Sequence, residues 1–444
     1  MRNRRYLWLM LPIACLVVGA AVFSVRDAEA EITSLKPSRT VVWKDYLGVN
    51  AQFHFFPEAN YRKQMTRLRE LDLQWVRIAM HWAILEPTRG QYYRPFDEAA
   101  QAMIENQLKP VGFLAGSAPF ATSAPANSPY QDSYPPTNNR LYSDSLTRFI
   151  ERYPSFQAWQ IWNEPNLPSF WRPREDPNAY AALLVDAVDT VRRRFPDKPL
   201  GTAGMAYFSQ MPSRNMELML KALLEKGLAS KNLIVSYHPY TEYPEGNSVG
   251  KNELLDTVRY INGGLRGAGV KQIWATEWGW SSYAGPEEMQ AIIGVSGQAD
   301  YTLRRLALMS ALDFDRIFLF NLSDLDARAS VRDQSYGLLD LNGNPKPVYQ
   351  ALKNFLRVTG PKLAPADPPA FSNAPKDLYS IAWKRNDGRR LLMLWSASAG
   401  KLQLPGARQA TLYDPLSGKE QNLATDGGNL SVQLKPSLQL LVWD

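Results

Sequence analysis

The sequence predicts an α/β fold, a (β/α)8 TIM barrel, followed by a small all-β domain of the β-sandwich type. From Tyr46 onward, short runs rich in β-branched and aromatic residues alternate with longer amphipathic runs, which is typical of parallel strands joined by crossover helices. After Gly360 prolines cluster and the helical period disappears. The length of 444 residues is sufficient for a large core and two domains.

The chain begins with an export segment, residues 1–30. Arginines precede an apolar run, Tyr6–Val25, that no charged residue interrupts. Its length of about 20 residues would span a bilayer, whereas the small residues around Ala28 and Ala30 fit a cleavage site. We therefore expect either a cleaved signal peptide or a retained anchor, and in the second case association with the inner membrane.

Eight strand–helix pairs are predicted between residues 46 and 359. They average about 39 residues each, which suits a slightly inserted barrel. Helices such as Glu98–Leu108 and Tyr180–Phe195 follow the strands, and Pro345 is predicted to open the last helix because proline is favoured in a first turn. The predicted strands are Tyr46–Phe53, Trp75–Met80, Lys109–Ala115, Ala158–Asn163, Leu200–Ala203, Leu233–Tyr237, Gln272–Glu277 and Arg316–Asn321.

Residues 360–444 are predicted to form the all-β domain. Five prolines between positions 361 and 375 mark a linker-like stretch. The N-terminal strand segment, residues 31–45, contains the run Ile32–Trp43, and we expect it to pair with this domain because alone it would be an unpaired edge. Short alternating runs without helical period are Tyr379–Lys384, Leu391–Ser396, Ala410–Tyr413 and Leu438–Trp443.

Composition excludes several classes of site. Cys15 is the only cysteine, so beyond the leader there is no thiol for a disulfide, a zinc–thiolate site or a cysteine nucleophile. Lipidation of Cys15 is disfavoured by Pro12 and by the apolar run that continues past it. The net charge is only +7, and no basic run is interleaved with aromatics. No nucleic-acid partner is predicted, although this charge is compatible with an anionic membrane surface.

Two apolar runs each end on a glutamate. The run 158–166 reaches Glu164 just before Pro165, which cannot donate to a strand ladder, and the run 270–280 reaches Glu277. The two glutamates are separated by 113 residues, about three strand–helix units. We therefore place them on the fourth and seventh strands, at the barrel mouth where active sites lie. Two carboxyl groups facing one sugar are what glycoside cleavage requires.

Surface exposure or ion pairing is the alternative role for either glutamate. For Glu277 we disfavour it, because Trp274, Trp278 and Trp280 surround the carboxylate in sequence. The long segment Ser117–Arg140 follows the third strand, and it is expected to shape one wall of the cleft.

All three histidines follow predicted strands: His54, His81 and His238. A single histidine beside an apolar run is more often a core residue than a ligand. The sequence contains neither a His-x-His nor a His-Glu-x-x-His spacing. No metal and no other cofactor is therefore predicted.

Both glutamate motifs resemble those of a known group of enzymes. The stretch 162–166, Trp-Asn-Glu-Pro-Asn, resembles the fourth-strand signature of glycoside hydrolase clan A, and 276–279, Thr-Glu-Trp-Gly, resembles its seventh-strand nucleophile motif. Within the clan the chain is most similar to family 39, as the stretches 170–173, 238–240 and 344–347 indicate. The order of leader, barrel and β domain also resembles that of a periplasmic member acting on a mannose-rich biofilm exopolysaccharide. The resemblance implies such a substrate, attacked internally and with retention.

The resemblance also implies roles for individual residues. Glu164 would be the general acid/base and Glu277 the nucleophile, with carboxyl groups about 5–5.5 Å apart for retention and about 6.5–9.5 Å for inversion. Asn163 would contact the sugar 2-hydroxyl, and Arg77 and Tyr240 would hold the nucleophile ionised. For each aromatic, packing in the core is an equally good expectation. The predicted substrate-binding residues are Asn163, Arg77, His81, Trp82, Trp171, His238, Tyr240, Trp278, Trp280 and Tyr283.

A second class of function uses the same fold. A non-hydrolytic polysaccharide-binding scaffold, or a chaperone of an exopolysaccharide synthesis complex, would need the barrel but no matched acid and nucleophile. The presence of Glu164 and Glu277 together favours hydrolysis. We expect a monomer whose partners are the polysaccharide and, through the export segment, a membrane-bound synthesis complex.

Overall fold

The computed structural model describes residues 32–207, 215–246, 253–285, 292–398, 400–406, 409–426 and 428–444. The predicted export segment, residues 1–30, lies outside these ranges. Within them, no helix combines the length and the apolar character that crossing a bilayer requires.

Eight parallel strands close into a barrel, which confirms the predicted fold class. Neighbouring strands pair in chain order, and the last returns to the first where Ile317 lies opposite Leu47. The apolar side chains of these strands are buried, as is usual for a parallel sheet that is covered on both faces. The barrel strands are β3 (Leu47–Ala51), β4 (Trp75–His81), β5 (Lys109–Ala115), β6 (Ala158–Ile161), β7 (Leu200–Ala206), β8 (Ile234–His238), β9 (Gln272–Ala275) and β10 (Arg316–Leu319).

Helices surround the barrel. Asp176 caps one of them by accepting from the backbone N–H groups of Asn178 and Ala179, with proline in the first turn. The last helix begins at Pro347 rather than at the predicted Pro345, because residues 338–346 first form a turn in which Pro345 bridges Leu339. The helices are α1 (Trp43–Tyr46), α2 (Glu58–Glu70), α3 (Trp82–Leu85), α4 (Arg94–Glu105), α5 (Asn139–Arg152), α6 (Pro177–Arg194), α7 (Asn215–Glu225), α8 (Glu253–Gly267), α9 (Gly294–Ala311) and α10 (Pro347–Thr359).

A second sheet contains both ends of the described chain. Its strand order is β14-β17-β16-β15-β18-β13-β12-β11-β2, with β1 pairing in parallel with β12. The N-terminal segment therefore pairs with the C-terminal domain, as the sequence predicts. The strands are β1 (Thr33–Leu35), β2 (Val41–Val42), β11 (Lys362–Pro365), β12 (Tyr379–Arg385), β13 (Arg390–Trp395), β14 (Lys401–Pro405), β15 (Gln409–Asp414), β16 (Lys419–Asp426), β17 (Asn429–Gln433) and β18 (Gln439–Trp443).

The barrel interior is layered, and the layers position the site. Near the amino ends of the strands an apolar layer includes Trp75, Trp274 and Phe318. Two residues further along β4, Arg77 begins a polar layer, since alternate strand residues point inward. The carboxyl ends of the strands therefore open above a buried polar floor, in the position where barrels of this kind carry active sites.

Candidate active site

Glu164 lies at the barrel mouth because the backbone turns sharply after β6. Trp162 and Glu164 both have positive φ angles, 76° and 41°, which non-glycine residues seldom adopt. The Glu164 N–H donates to the carbonyl of Gly204 at 3.0 Å, and the Glu164 carbonyl accepts from the N–H of Leu167. These bonds hold the turn, and they leave the carboxyl group buried but facing the cavity.

Glu277 follows β9 and is held from two sides. Arg77 Nη1 lies 2.6 Å from Glu277 Oε1, and the Tyr240 hydroxyl donates to Oε2 at 3.2 Å. Both donors are buried, so the electrostatic interaction with the arginine is only weakly screened. These two hydrogen bonds fix the position of the Glu277 carboxylate in the cavity wall.

Arg77 itself is fixed by the polar layer of the barrel. Its Nε donates to Gln160 Oε1 at 2.6 Å, Nη1 to Asn50 Oδ1 at 2.9 Å, and Nη2 to Asn163 Oδ1 at 2.9 Å. The ring of Phe113 lies 3.8 Å from the guanidinium carbon. Neither Asn50 nor Gln160 was predicted from the sequence to belong to the site. Each is a polar residue inside a buried, otherwise apolar strand, and that was the available signal.

His238 bridges the two glutamates. Its Nδ1 is hydrogen-bonded to Glu164 Oε1 at 2.7 Å, its Nε2 to Thr276 Oγ1 at 3.1 Å, and Nε2 lies 3.7 Å from Glu277 Oε1. Burial lowers the pKa of His238 to about 3, although Glu277 opposes that shift. The imidazole is therefore uncharged near neutral pH, and it adds no positive charge beside Glu164.

The Tyr240 loop is held from behind by a buried arginine that was not predicted from the sequence. Arg305, in α9, donates to the carbonyl oxygens of Pro239 at 2.7 Å and Pro244 at 2.8 Å, and also to the Thr241 hydroxyl. Burial lowers the pKa of Arg305 to about 9. The loop after β8 is thus tied to the barrel wall, and this fixes the hydroxyl that Tyr240 directs at Glu277.

The two carboxyl groups lie close together. One oxygen of Glu164, one of Glu277 and a ring nitrogen of His238 all lie within 4.8 Å of one another. By distance alone, this trio could hold a cation. However, the Arg77 guanidinium already contacts Glu277 and Thr276 already bonds to His238, so a metal ion would displace these partners and lie beside a buried positive charge. The expectation that the site works without a metal stays a prediction.

Above the glutamates lies a cavity of about 740 Å³. Its wall includes Asp132 and Ser133, so the segment Ser117–Arg140 does shape one side, as predicted. The cavity wall also includes the segment after β10, which was not predicted from the sequence because this segment has no regular period. Cavity residues from that segment are Phe320, Leu325, Arg328, Ala329, Arg332, Asp333 and Tyr336.

Four tryptophans predicted to stack on sugar lie in the core instead. Trp82 packs against Phe120 and Tyr142, and its indole N–H donates to buried Glu86. Trp278 is fully buried, and it does not line the cavity. These predictions are wrong because burying a large ring contributes more than exposing it.

Trp171 and Trp280 are also buried in the core. Trp171 packs edge-on against Trp162 and Tyr180, with centroids 5.1 and 5.9 Å away. The Trp280 N–H donates to the carbonyl oxygens of the Tyr240 loop, and the Arg305 guanidinium lies over its ring. Both rings support the loops of the site from behind rather than lining the cavity.

Several predicted binding residues have different positions. His81 and Asn163 line the cavity together with Tyr240 and both glutamates. Tyr283 is half-buried and does not belong to the cavity wall. His54 is also outside the wall, packed between Phe55 and Phe96.

Comparisons with known proteins agree in fold. No family model matches the chain, and no curated protein matches it. Solved structures do: a family 39 glycoside hydrolase from Bacteroides cellulosilyticus WH2 has 20% sequence identity and a TM-score of 0.67, covering 91% of this chain and 82% of its own. The GH39 enzyme from Xanthomonas axonopodis pv. citri has 15% identity and a TM-score of 0.63, covering 94% and 98%. A monomeric beta-xylosidase from Caulobacter crescentus CB15 gives the same identity and TM-score, covering 94% and 99%. At these identities the likeness concerns the fold, and the chain has the barrel-plus-β-domain architecture of these glycoside hydrolases.

Proposed function

We propose that this protein is a retaining glycoside hydrolase, with Glu164 as general acid/base and Glu277 as nucleophile. The observation that carries the proposal is the asymmetry of two neighbouring carboxyl groups. Arg77 and Tyr240 donate to Glu277, whereas an uncharged His238 bonds to Glu164. Glu277 is thus held by a guanidinium and a hydroxyl group, whereas Glu164 lies beside a neutral imidazole, and glycoside cleavage assigns different roles to its two carboxyl groups.

The first step follows from this geometry. Glu164 transfers its proton to the glycosidic oxygen while a Glu277 oxygen attacks the anomeric carbon, so the leaving group departs as a neutral alcohol and a covalent glycosyl ester forms. In the second step Glu164, now a carboxylate, removes a proton from water, which attacks the same carbon and releases Glu277. Each step inverts the anomeric carbon, so the overall reaction retains its configuration.

The separation of the two carboxyl groups supports retention. Their nearest oxygens lie within 4.8 Å of each other. Retaining enzymes hold the groups about 5–5.5 Å apart, while inverting enzymes leave about 6.5–9.5 Å for a water molecule. Asn163, whose Oδ1 accepts from Arg77, lines the same cavity, and we propose that its amide nitrogen donates to the sugar 2-hydroxyl.

For the substrate we propose a mannose-rich biofilm exopolysaccharide similar to the polysaccharide Psl, and we propose that it is cleaved internally. A cavity of about 740 Å³ with an open mouth supports binding of several sugar rings. Its charges are mixed, with two arginines and two aspartates on the walls beside the catalytic pair, which favours an uncharged chain. The proposal includes a periplasmic monomer, held at the inner membrane if the export segment is retained, that works with an exopolysaccharide synthesis complex.

A non-hydrolytic scaffold is the second candidate function. The same cavity would bind polysaccharide without chemistry, and fold alone does not separate the two. The buried Arg77–Glu277 pair favours hydrolysis, because a binding site gains nothing from holding a desolvated anion against the anomeric carbon.

Azide rescue tests the two roles. Glu277→Ala removes the nucleophile and leaves a space that a small anion can enter, so azide should restore turnover of an aryl glycoside and give a product of inverted configuration. Glu164→Ala should still form the covalent intermediate from an activated substrate, and azide should then give a glycosyl azide of retained configuration. Product configuration is read by NMR.

The natural polysaccharide provides the matching control. Its leaving group is poor, so Glu164→Ala should lose at least about 10²-fold in rate on it. Modest, equal losses in both variants, without an azide effect in either, would contradict double displacement and favour the scaffold. A loss of wild-type activity on dialysis against EDTA, restored by a divalent cation, would overturn the prediction of a metal-free site.

A further inference from the structure

Two adjacent aromatic residues after Glu164 face opposite ways. Trp171 is buried, whereas Phe170 has 38% of its surface exposed and lines the cavity. An exposed phenylalanine at the wall of a cleft is unexplained by packing, since its ring would be more stable in the core.

The backbone holds Phe170 in this position. Its N–H donates to the carbonyl of Leu167 at 3.0 Å, and its own carbonyl accepts from the indole N–H of Trp162 at 2.9 Å. Trp171 packs against Trp162 on the inner side. Because the buried Trp162 ring holds this turn, the backbone at Phe170 is fixed. Little conformational freedom of the turn would therefore be lost when a ligand binds.

Phe170 lies on the Glu164 side of the cavity. It belongs to the same wall segment as Leu167 and Ser169, which continues directly from the proposed acid/base. The acid/base protonates the leaving oxygen, so the sugar units that depart lie on this side, while the unit that becomes attached to Glu277 lies between the two glutamates.

A second exposed ring lies next to this wall. Tyr130 is 52% exposed, and the guanidinium of Arg172 covers one face of its ring at 4.0 Å from the centroid. The Arg172 N–H donates to the carbonyl of Ser133, which also lines the cavity. The turn bearing Phe170 and the segment bearing Tyr130 are therefore joined, and Arg172 holds the tyrosine ring in place.

We propose that Phe170, continued by Tyr130, is a binding platform for the leaving-group portion of a neutral polysaccharide. Sugar rings expose C–H groups on one face, and these pack on flat aromatic surfaces. This inference rests on the proposed function and deepens it, because a platform on the leaving-group side requires a substrate that extends beyond the cleaved bond on that side. It requires a leaving group of more than one sugar unit, and it replaces the predicted stacking by Trp171 with stacking by its neighbour.

Two measurements test the platform. The first is the ratio of kcat/KM on a pentasaccharide to kcat/KM on an aryl glycoside, whose leaving group is a single small ring. Phe170→Ala should lower this ratio about tenfold, the loss expected for one aromatic contact. Phe170→Trp should keep the ratio, because a flat ring remains. Tyr130→Ala should lower it less, and Tyr260→Ala, which removes a 71% exposed ring from α8, should leave it unchanged.

The second measurement does not depend on catalysis. Binding of manno-, xylo- and cellopentaose to Glu164→Gln protein is measured by calorimetry, with and without Phe170→Ala. The variant should weaken the tightest of the three about tenfold. An equal affinity in the two proteins, or no binding of any pentasaccharide to Glu164→Gln, would overturn the platform. If the wild type cleaves none of the probes but the binding difference is present, the platform stands and the proposed hydrolysis fails.

Discussion

Arg77 links the polar layer of the barrel to the chemistry. Its guanidinium uses separate N–H groups for Gln160, Asn50, Asn163 and Glu277. A lysine keeps the charge but offers a single ammonium group that cannot reach four acceptors in this planar arrangement. Several buried acceptors would therefore lose their donors.

Arg77→Lys is expected to lower kcat/KM about 10²-fold or more, because Glu277 would no longer be held in position. The free energy of unfolding should fall by about 1–3 kcal/mol for each acceptor left unpaired. Arg316→Lys is the matched control: this half-buried arginine lies over Trp75 at the other end of the barrel. It should lower stability without changing the kinetics. Equal kinetic effects in the two variants would contradict the role of Arg77.

His54 makes the folded protein sensitive to acid. Burial lowers its pKa to about 3, with His81 and Arg328 adding to the shift, and within the described residues neither ring nitrogen has a hydrogen-bond partner. Between about pH 6.5 and pH 3 the unfolded chain binds a proton that the folded protein excludes. Stability should therefore fall as the pH drops through this range, by about 1.4 kcal/mol per pH unit from this residue.

His54→Leu should remove that dependence. The difference in unfolding free energy between pH 6.5 and pH 5, measured with urea, should shrink by about 2 kcal/mol relative to the wild type. Phe55→Leu, which alters the ring packed against His54 but removes no titrating group, should keep the wild-type difference. The same slope in His54→Leu would show that the imidazole is already hydrated in the folded state.

At the residue scale, the positions of the two glutamates were easier to predict than the orientations of the aromatic side chains. Glu164 and Glu277 follow apolar strands, and the carboxyl ends of barrel strands meet at the mouth. Phe170 and Trp171 lie in an irregular turn, where no period tells which of two neighbours points inward. Their orientations depend on Trp162, a contact that emerges only after folding.

Within β7, Gly204 makes room for His238. A Cβ atom there would lie 2.0 Å from His238 Nε2 and 2.6 Å from Thr276 Oγ1, so no larger residue fits without moving the imidazole. Gly204 also accepts the Glu164 N–H at its carbonyl. Gly204 thus helps to position Glu164 in two ways. Its carbonyl accepts the Glu164 N–H, and its missing side chain leaves room for His238, which bonds to the Glu164 carboxyl group.

Gly204→Ala should displace His238 from Glu164 and lower the rate about tenfold or more on polysaccharide, with a smaller loss on an activated aryl glycoside that needs little protonation. Overpacking should also lower stability by about 1–3 kcal/mol. Gly263→Ala, in the open interior of α8 with no atom within 4 Å of the new Cβ, should raise stability by about 0.5–1 kcal/mol and leave both rates unchanged. An identical loss on both substrates would refute the positioning role of Gly204.

Strands and helices were predictable from period, but the segment after β10 was not. It is fixed by single polar contacts, among them Lys346 Nζ to Asp324 Oδ1 at 2.8 Å and the Gly337 N–H to the same carboxylate oxygen. These contacts join residues 13 or 22 positions apart. Such pairs leave no regular pattern in the sequence, although they place Tyr336 and Asp333 at the cavity.

Across the whole molecule, the β domain shares its core with the barrel. Along β13, Leu391, Met393 and Trp395 belong to the cluster that includes the barrel helices, whereas Leu392 and Leu394 belong to a second cluster inside the β domain. This is the period-2 alternation of a strand buried on both faces. The sheet therefore covers apolar surface that the barrel would otherwise expose, and unfolding of the two parts should be coupled.

The junction also reaches the active-site loop. Glu245, on the loop that carries Tyr240, accepts from the Trp395 indole N–H at 2.9 Å and from Arg304 Nη1 at 2.6 Å. Trp395 is stacked on Tyr379, with centroids 5.0 Å apart. A residue of the β domain thus holds the loop from which Tyr240 reaches Glu277.

Calorimetry can measure this coupling. The wild type should unfold in one transition, and Trp395→Phe should keep a single transition at a lower Tm, because the variant retains an aromatic ring but loses the indole hydrogen bond to Glu245. The free energy of unfolding should fall by about 1.5–3 kcal/mol, the range for a hydrogen bond to a charged group.

Trp383→Phe is the matched control at the same junction: within the described part of the chain its indole N–H has no partner, so little polar interaction is lost. Trp395→Phe should also lower kcat, since Tyr240 shares its loop with Glu245, while Trp383→Phe should not. Two separate transitions in the wild type, or equal effects of the two substitutions on kcat, would mean that the β domain is an independent unit beside the barrel.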